Sequence, residues 1–514
     1  MSRIGPRALA RLLAAVALAA GAASAAEAQT SPAGMTAEQD HQQMMDQLGI
    51  RALRPGVDSD PKAKLNPVNY DEAKANLYPV WPDPLTYADG RKVATAAEWW
   101  GKRRPELIEL FEREIYGRVP ATAPKVTWTV QTVDHEALGF TPIVATRVIG
   151  HVDNANAPGI SVEIPLMIVK PARAKGPLPT LIMFHLGPVA FPAPAQPSPD
   201  ELARINADMK AELTSRDPSL AAVLQAHPAW QPVTPPPVLP PQLDVDGNPP
   251  ALQQLIADGW AVVMIEPNSI QADSGAGLTQ GVIGISNGGR PRKPDDWGVL
   301  RAWAWGASRA LDYLTTDPDI DARHVGIEGV SRYGKAAMVA MAFDQRFAMG
   351  LIGSPGESGA KPHRRYLGET MENQTATAAY HWMAGNFLKY GASDATFGSR
   401  TANDIPIESD ELIALAAPRL MFVSYGQPAG GEPLWLDQHG SFMATVQAGK
   451  VWRLLGARDT GAGDDYQHAE LPPVGTGLLD GQLAWRQHDG GHTDAPNVKY
   501  FIAWADRLMG RDNH

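Results

Sequence analysis

An α/β fold with a mostly parallel central sheet is predicted by three features of the sequence. Short, continuous apolar runs recur at "TLIMFH" (180–185), "WAVVMIEP" (260–267), "HVGIEGV" (324–330), "FAMGLIGS" (347–354), "RLMFVSYG" (419–426) and "VWRLLG" (451–456). Segments at helical spacing, such as "DDWGVLRAWAWGASRALDYLTT", lie between them. Runs of this kind suit parallel strands covered by helices on both faces, a three-layer sandwich. Ahead of them, "KVTWTVQTVD", "PIVATRVIGHV" and "ISVEIPLMIVKP" alternate or are β-branched, which predicts an antiparallel extension at the N-terminal side of the sheet.

In chain order, residues 1–28 place three arginines before an alanine- and leucine-rich run that ends in small residues, the layout of a cleaved signal peptide. The apolar run is too short to span a bilayer, so a secreted or periplasmic protein is expected. Residues 29–90 are polar and proline-containing and are expected to wrap the body as an extended lead-in. The rest, 91–514, is expected to form one catalytic domain. A helix is predicted over 97–116, with Gly117 as its stop. Between the first two apolar runs, at about 189–250, proline clusters bracket two helical patterns; this reads as an insertion on the loop side of the sheet.

The 514 residues are 44% hydrophobic, ample for a large core, and the chain contains no cysteine. Thiol chemistry and cysteine-based metal sites are therefore excluded. A net charge of -11 argues against nucleic acid, which calls for a basic face. A monomer acting on a small or polymeric substrate is expected, with no membrane contact once the signal is removed.

Two serines sit between glycines. Ser331 lies in Gly329-Val330-Ser331-Arg332-Tyr333-Gly334, between an apolar strand-like run and an alanine- and methionine-rich helix pattern. A nucleophile elbow needs that context: a strand to deliver the serine, a tight turn eased by glycine, and a helix N-terminus that favours developing negative charge. Ser286 lies in "DSGAGLTQGVIGISNGGRPRKPDD", where the glycines and the prolines that follow predict a loop. Ser331 is therefore the candidate nucleophile.

In the order Ser, Asp or Glu, His, the histidine follows the last strand. His492, in a glycine-rich loop before the final helix pattern, is the candidate base; His488, four residues earlier, ends a strand-like run and is expected to serve structure. For the acid, "QPAGGEPLWLDQHGSF" presents Glu432 and Asp437. Asp437 is preferred because the apolar Trp435-Leu436 beside it could shield an Asp–His hydrogen bond. Glu357, in "GSPGESGAK", is a second candidate.

The heptapeptide from Gly329 to Lys335 resembles the G-x-S-R-x-G-K nucleophile motif of glucuronoyl esterases, carbohydrate esterase family 15, most of all the bacterial members. The likeness continues through "GESGAKPHRRYLGE", "YHWMAGNFLKY", "LIALAAPRLMFVSYG", "WLD" and "HDGGHT", covering about 290–514 well and the N-terminal third only loosely. The resemblance implies an α/β-hydrolase that cleaves the ester between 4-O-methyl-glucuronic acid of xylan and a lignin alcohol, with no metal or other cofactor. It implies Ser331 as nucleophile, His492 as base, Arg332 as an oxyanion stabiliser, Lys335 and Glu369 as ligands of the uronate hydroxyls, and Trp435 as a wall of the site. The family places its acid at either of two positions. At one of them this chain has Ser354, with Glu357 three residues late; the other corresponds to Asp437, with Glu357 kept as a helper. The rival expectations are another secreted carbohydrate esterase, such as an acetyl-xylan esterase, and a catalytically idle carbohydrate-binding protein.

Overall fold

The structure, a computed structural model, describes residues 34–185, 199–232 and 247–511. The expected signal peptide and parts of the expected insertion lie outside these residues. Twelve strands are described: β1 (Ile50–Leu53), β2 (Val126–Leu138), β3 (Thr141–Val152), β4 (Glu163–Pro171), β5 (Leu178–Phe184), β6 (Ala261–Ile265), β7 (Ile320–Val330), β8 (Met349–Gly353), β9 (Ala392–Ala395), β10 (Leu420–Tyr425), β11 (Gly477–Leu478) and β12 (Leu483–Gln487). The helices used below are α1 (Ala37–Leu48), α2 (Ala251–Ala257), α3 (Gly281–Asn287), α4 (Val299–Leu314), α5 (Arg332–Phe343), α6 (Gln438–Leu454) and α7 (Val498–Met509).

Ten strands form one sheet in the order β11-β12-β10-β8-β7-β5-β6-β4-β3-β2. The pairs β5/β6, β5/β7, β7/β8, β8/β10 and β10/β12 are parallel. β2, β3 and β4 join antiparallel to one edge, as the alternating N-terminal runs predict. β1 and β9 make a separate antiparallel pair. Alternate residues of the central strands serve two cores. Ile182, Val263 and Ile327 pack with α4 and α5 on one face, whereas Leu181, Val262 and Leu351 pack with α2 and α7 on the other. Burial on both faces explains why these strands read as unbroken apolar runs. A smaller unit lies within 192–242; its described part carries the helices Pro199–Arg216 and Leu220–Ala226.

Three expectations are corrected. "VWRLLG" is the end of α6, where Val451 and Trp452 are buried, and the strand beyond β10 is β12 instead. Ser286 lies in a helix, α3, and its hydroxyl donates to the carbonyl of Val282 at 2.9 Å; the prolines fall after the helix has ended. The lead-in contains α1, capped by Thr36 and Gln39 in a reciprocal capping box. The helix over 96–116 stops at Gly117, which has φ +82° and whose Cβ would lie 2.3 Å from the carbonyl oxygen of Asp296.

Candidate active site

Ser331 stands at the C-terminal end of β7, one residue before α5, with φ 63° and ψ -127°. That left-handed backbone is rare for a residue with a Cβ and costs on the order of 1–3 kcal/mol, so the surroundings must hold it. They do: the Ser331 N–H donates to the carbonyl of Gly353 on β8 at 2.8 Å, and the Lys335 N–H donates to the carbonyl of Ser331 at 3.0 Å. The flanking glycines are required by contact. A Cβ at 329 would lie 2.4 Å from the carbonyl oxygen of Tyr333, and one at 334 would lie 2.4 Å from that of Gly353. At the first turn of α5 the backbone N–H groups lack intrahelical partners, and they point to the serine side of the elbow.

Because β7, β8, β10 and β12 run parallel, the loops that follow them emerge at one edge of the sheet. His492 follows β12 and Glu432 follows β10. His492 Nδ1 lies 3.2 Å from Glu432 Oε1, with the carboxylate side chain fully buried and the imidazole 32% exposed. The two loops are locked together: Gln427 N–H donates to the carbonyl of Gly490 at 3.0 Å, and a Cβ at Gly426 would lie 2.2 Å from the carbonyl oxygen of Gly491. A donor at Nδ1 fixes the tautomer that leaves Nε2 as the proton acceptor. His488 is buried, with Nε2 2.7 Å from the carbonyl oxygen of Thr493, in the structural role expected of it.

The two carboxylates preferred from sequence are engaged elsewhere. Asp437 caps the N-terminus of α6, accepting from Gly440 N–H at 2.9 Å, and it accepts from Arg365 Nε at 2.7 Å. Arg365 stands 72 residues away in the chain, so sequence neighbours gave no sign of it. Glu357 is fully buried between Lys361 Nζ at 2.7 Å and His363 Nδ1 at 2.5 Å. Burial pushes its carboxyl up, but the charges of Lys361 and His363 outweigh this and bring it down to about 2. The acid that meets His492 is thus Glu432, the neighbour set aside in favour of Asp437.

Lys335, on α5 one turn after Ser331, is buried, and its ammonium donates to the carbonyl of Pro355 at 2.6 Å. Glu369 accepts from Gln374 Nε2 at 2.6 Å, and its N–H donates to the carbonyl of Trp435 at 3.1 Å. Burial lowers the Lys335 pKa and raises that of Glu369, and each charge partly opposes the shift of the other. Gly368 has φ +68°, and its Cβ would lie 2.3 Å from the Trp435 Cα, so this glycine lets the Glu369 strand of chain pass against the Trp435 turn. Trp435 itself is 43% exposed. The structure therefore brings Lys335, Glu369 and Trp435 into one neighbourhood.

The Arg332 guanidinium stacks 5.2 Å from the centre of the Trp382 ring and pairs with Asp273. Lys335 Nζ lies 5.6 Å from the same ring. Neither Trp382 nor Asp273 was linked to Arg332 by the sequence; Asp273 sits 59 residues from the arginine it binds. No group of three or more histidine, aspartate and glutamate residues arranged to hold a metal ion occurs among the described residues.

Comparison with known proteins shows the family. A family model described as glucuronyl esterase, fungi, matches residues 292–456. A curated carbohydrate esterase, MZ0003, from an unknown prokaryotic organism is 30% identical over 457 residues, spanning 88% of this chain and 94% of that protein. A 4-O-methyl-glucuronoyl methylesterase of Hypocrea jecorina is 33% identical over 173 residues, about a third of each chain. Among solved structures, a CE15 glucuronoyl esterase from Teredinibacter turnerae superposes with a TM-score of 0.74 at 37% identity, covering 92% of this chain and all of the other. A glucuronoyl esterase from Solibacter usitatus gives 0.63 at 28% identity, covering 85% and 99%.

Proposed function

Because the chain belongs to carbohydrate esterase family 15, the glucuronoyl esterases, we propose that it is a serine esterase that hydrolyses alcohol esters of 4-O-methyl-glucuronic acid through an acyl-enzyme. The observation that carries this reading is a strained serine at a strand–helix turn beside a buried lysine and a glutamate. His492 Nε2 takes the Ser331 hydroxyl proton while Glu432 steadies the imidazolium. The Ser331 oxygen attacks the ester carbonyl, and the oxyanion is met by the Arg332 N–H and guanidinium. Collapse expels the alcohol, which takes the proton from His492. Water, activated by the same histidine, then releases the free uronic acid and restores Ser331.

Lys335 and Glu369 are assigned to the hydroxyls of the uronate ring, with Trp435 flanking it. A cation and a carboxylate are suited to a polyol and superfluous for an acetyl group, which weighs against a simple acetyl esterase. The natural alcohol is assigned to lignin, and the glycan to glucuronoxylan. Export to the periplasm or the medium follows from the layout of residues 1–28, and the enzyme is assigned as a monomer. Hydrolysis of benzyl glucuronate, its 4-O-methyl form and p-nitrophenyl acetate tests the reading. Preference for the uronate esters supports it, whereas turnover of the acetate alone contradicts it.

A further inference from the structure

We infer that Asp273 is a positioning residue that holds the Arg332 guanidinium in place to meet the oxyanion, with Trp382 as the plate on which the guanidinium rests. The inference rests on the esterase reading above and extends it to the loop that joins β6 to α3.

Three donors from two other segments converge on one carboxylate. Asp273 Oδ1 accepts from His381 Nε2 at 2.9 Å and from Trp382 Nε1 at 2.6 Å, and Oδ2 accepts from Arg332 Nη1. A carboxylate is the one side chain of this size that accepts at both oxygens, so the site selects aspartate over asparagine. Burial raises the Asp273 pKa, but the bonds from His381, Trp382 and Arg332 outweigh it and hold the group at about 2, ionised throughout the working range.

The loop that carries Asp273 is itself fixed. Its N–H donates to Asn268 Oδ1 at 3.2 Å, Trp303 Nε1 of α4 donates to the carbonyl of Gln271 at 2.8 Å, and Gln271 Nε2 donates to the carbonyl of Gly277 at 2.8 Å. Arg332, by contrast, is 46% exposed and has a long side chain with many rotamers. An exposed arginine must give up rotamer freedom to meet a forming oxyanion. Asp273 takes one of its five N–H donors and Trp382 takes its face, which fixes the fork and leaves the remaining donors for substrate oxygen. The charge of Asp273 also offsets part of the cation's charge, so the gain lies in orientation more than in net potential.

Asp273→Asn separates these effects. With its oxygen kept toward His381 and Trp382, the amide turns its NH2 on Arg332 and sets donor against donor, so the arginine is freed while the loop stays in place. The expected result is a fall in kcat of about 10- to 100-fold, less than the 10²- to 10³-fold that losing an oxyanion donor costs, with KM within about twofold. In an Arg332→Ala background the same change should alter kcat by no more than about twofold, because a residue that acts through another has nothing left to act on. In a Lys335→Ala background the loss should persist in full. Trp382→Phe, which keeps the ring and removes one donor, should give a smaller loss that also vanishes with Arg332→Ala. The cycle is run on p-nitrophenyl acetate as well as benzyl glucuronate. A wild-type enzyme that turns over the acetate alone contradicts the uronate reading, and the acetate cycle still decides the role of Asp273. Losses that multiply in the Arg332→Ala background, or a rise in KM at unchanged kcat, overturn the inference.

Discussion

His492 Nδ1 meets Glu432 Oε1 at 3.2 Å, across loops that leave β12 and β10 at the same edge of the sheet. Glu432→Gln should keep the fold and the shape of the site but offer the imidazole an amide in place of a carboxylate. The wrong tautomer is then favoured and the imidazolium loses its counter-charge, so kcat should fall by about 10⁴, the cost seen for the equivalent change in a serine protease triad. Steady-state kinetics on benzyl glucuronate check it; a loss under tenfold would remove Glu432 from the triad.

Asp437 should behave in the opposite way. It caps α6 and shares the buried Arg365 with Glu72, so Asp437→Asn should destabilise the protein by about 1.5–3 kcal/mol, the worth of a hydrogen bond to a charged group, since Glu72 still pairs with the arginine. The kcat of the folded fraction should change little. Denaturant unfolding beside kinetics separates the two variants, because Glu432→Gln loses turnover at nearly constant stability and Asp437→Asn does the reverse.

Lys335 is assigned above to the sugar hydroxyls and not to the oxyanion. Lys335→Ala should therefore reduce kcat/KM for benzyl glucuronate by about 10- to 100-fold and for p-nitrophenyl acetate by much less, in line with about 1.5–3 kcal/mol for a charged hydrogen bond. Equal losses on both substrates would make Lys335 a support for the elbow through its bond to the carbonyl of Pro355.

Glu357 contributes stability, and its pH dependence has a definite sign. Its carboxyl is brought from 4.5 down to about 2 in the folded protein, so the contribution is present in full above the ordinary carboxylate pKa and is lost as pH falls through about 2. Glu357→Gln should lower Tm at pH 7, and the gap to wild type should narrow steadily below pH 4. A gap independent of pH would mean that packing, and not the ion pairs with Lys361 and His363, is what the variant removes.

The parallel strands were legible because burial on both faces leaves continuous apolar runs, and the elbow because glycine contacts and a strand–helix junction are local. What escaped is what depends on distant partners or on period. "VWRLLG" is as apolar as a strand, yet it closes the seventeen-residue helix α6, and a run of six cannot distinguish the two. Asp437 looked shielded by Trp435 and Leu436, whereas Arg365 had already claimed it from 72 positions upstream. Glu432, five residues earlier, was visible as a candidate but had no local mark of priority. Trp382 lies in "YHWMAGNFLKY" and Asp273 opens the stretch around Ser286, but neither could be tied to Arg332 from sequence, since only the fold brings them to it. The capping box of α1 was readable in Thr36-x-x-Gln39 and went unread.

The central claim is that Ser331 carries the uronyl group between the two half-reactions. Acid quenching of the enzyme during turnover of benzyl glucuronate, followed by peptide mass spectrometry, tests it most directly. The peptide that contains Ser331 should gain the mass of one glucuronoyl group, Ser331→Ala should give neither adduct nor benzyl alcohol, and Ser286→Ala should give both. An adduct on another residue, or benzyl alcohol released by Ser331→Ala at the wild-type rate, would contradict the account.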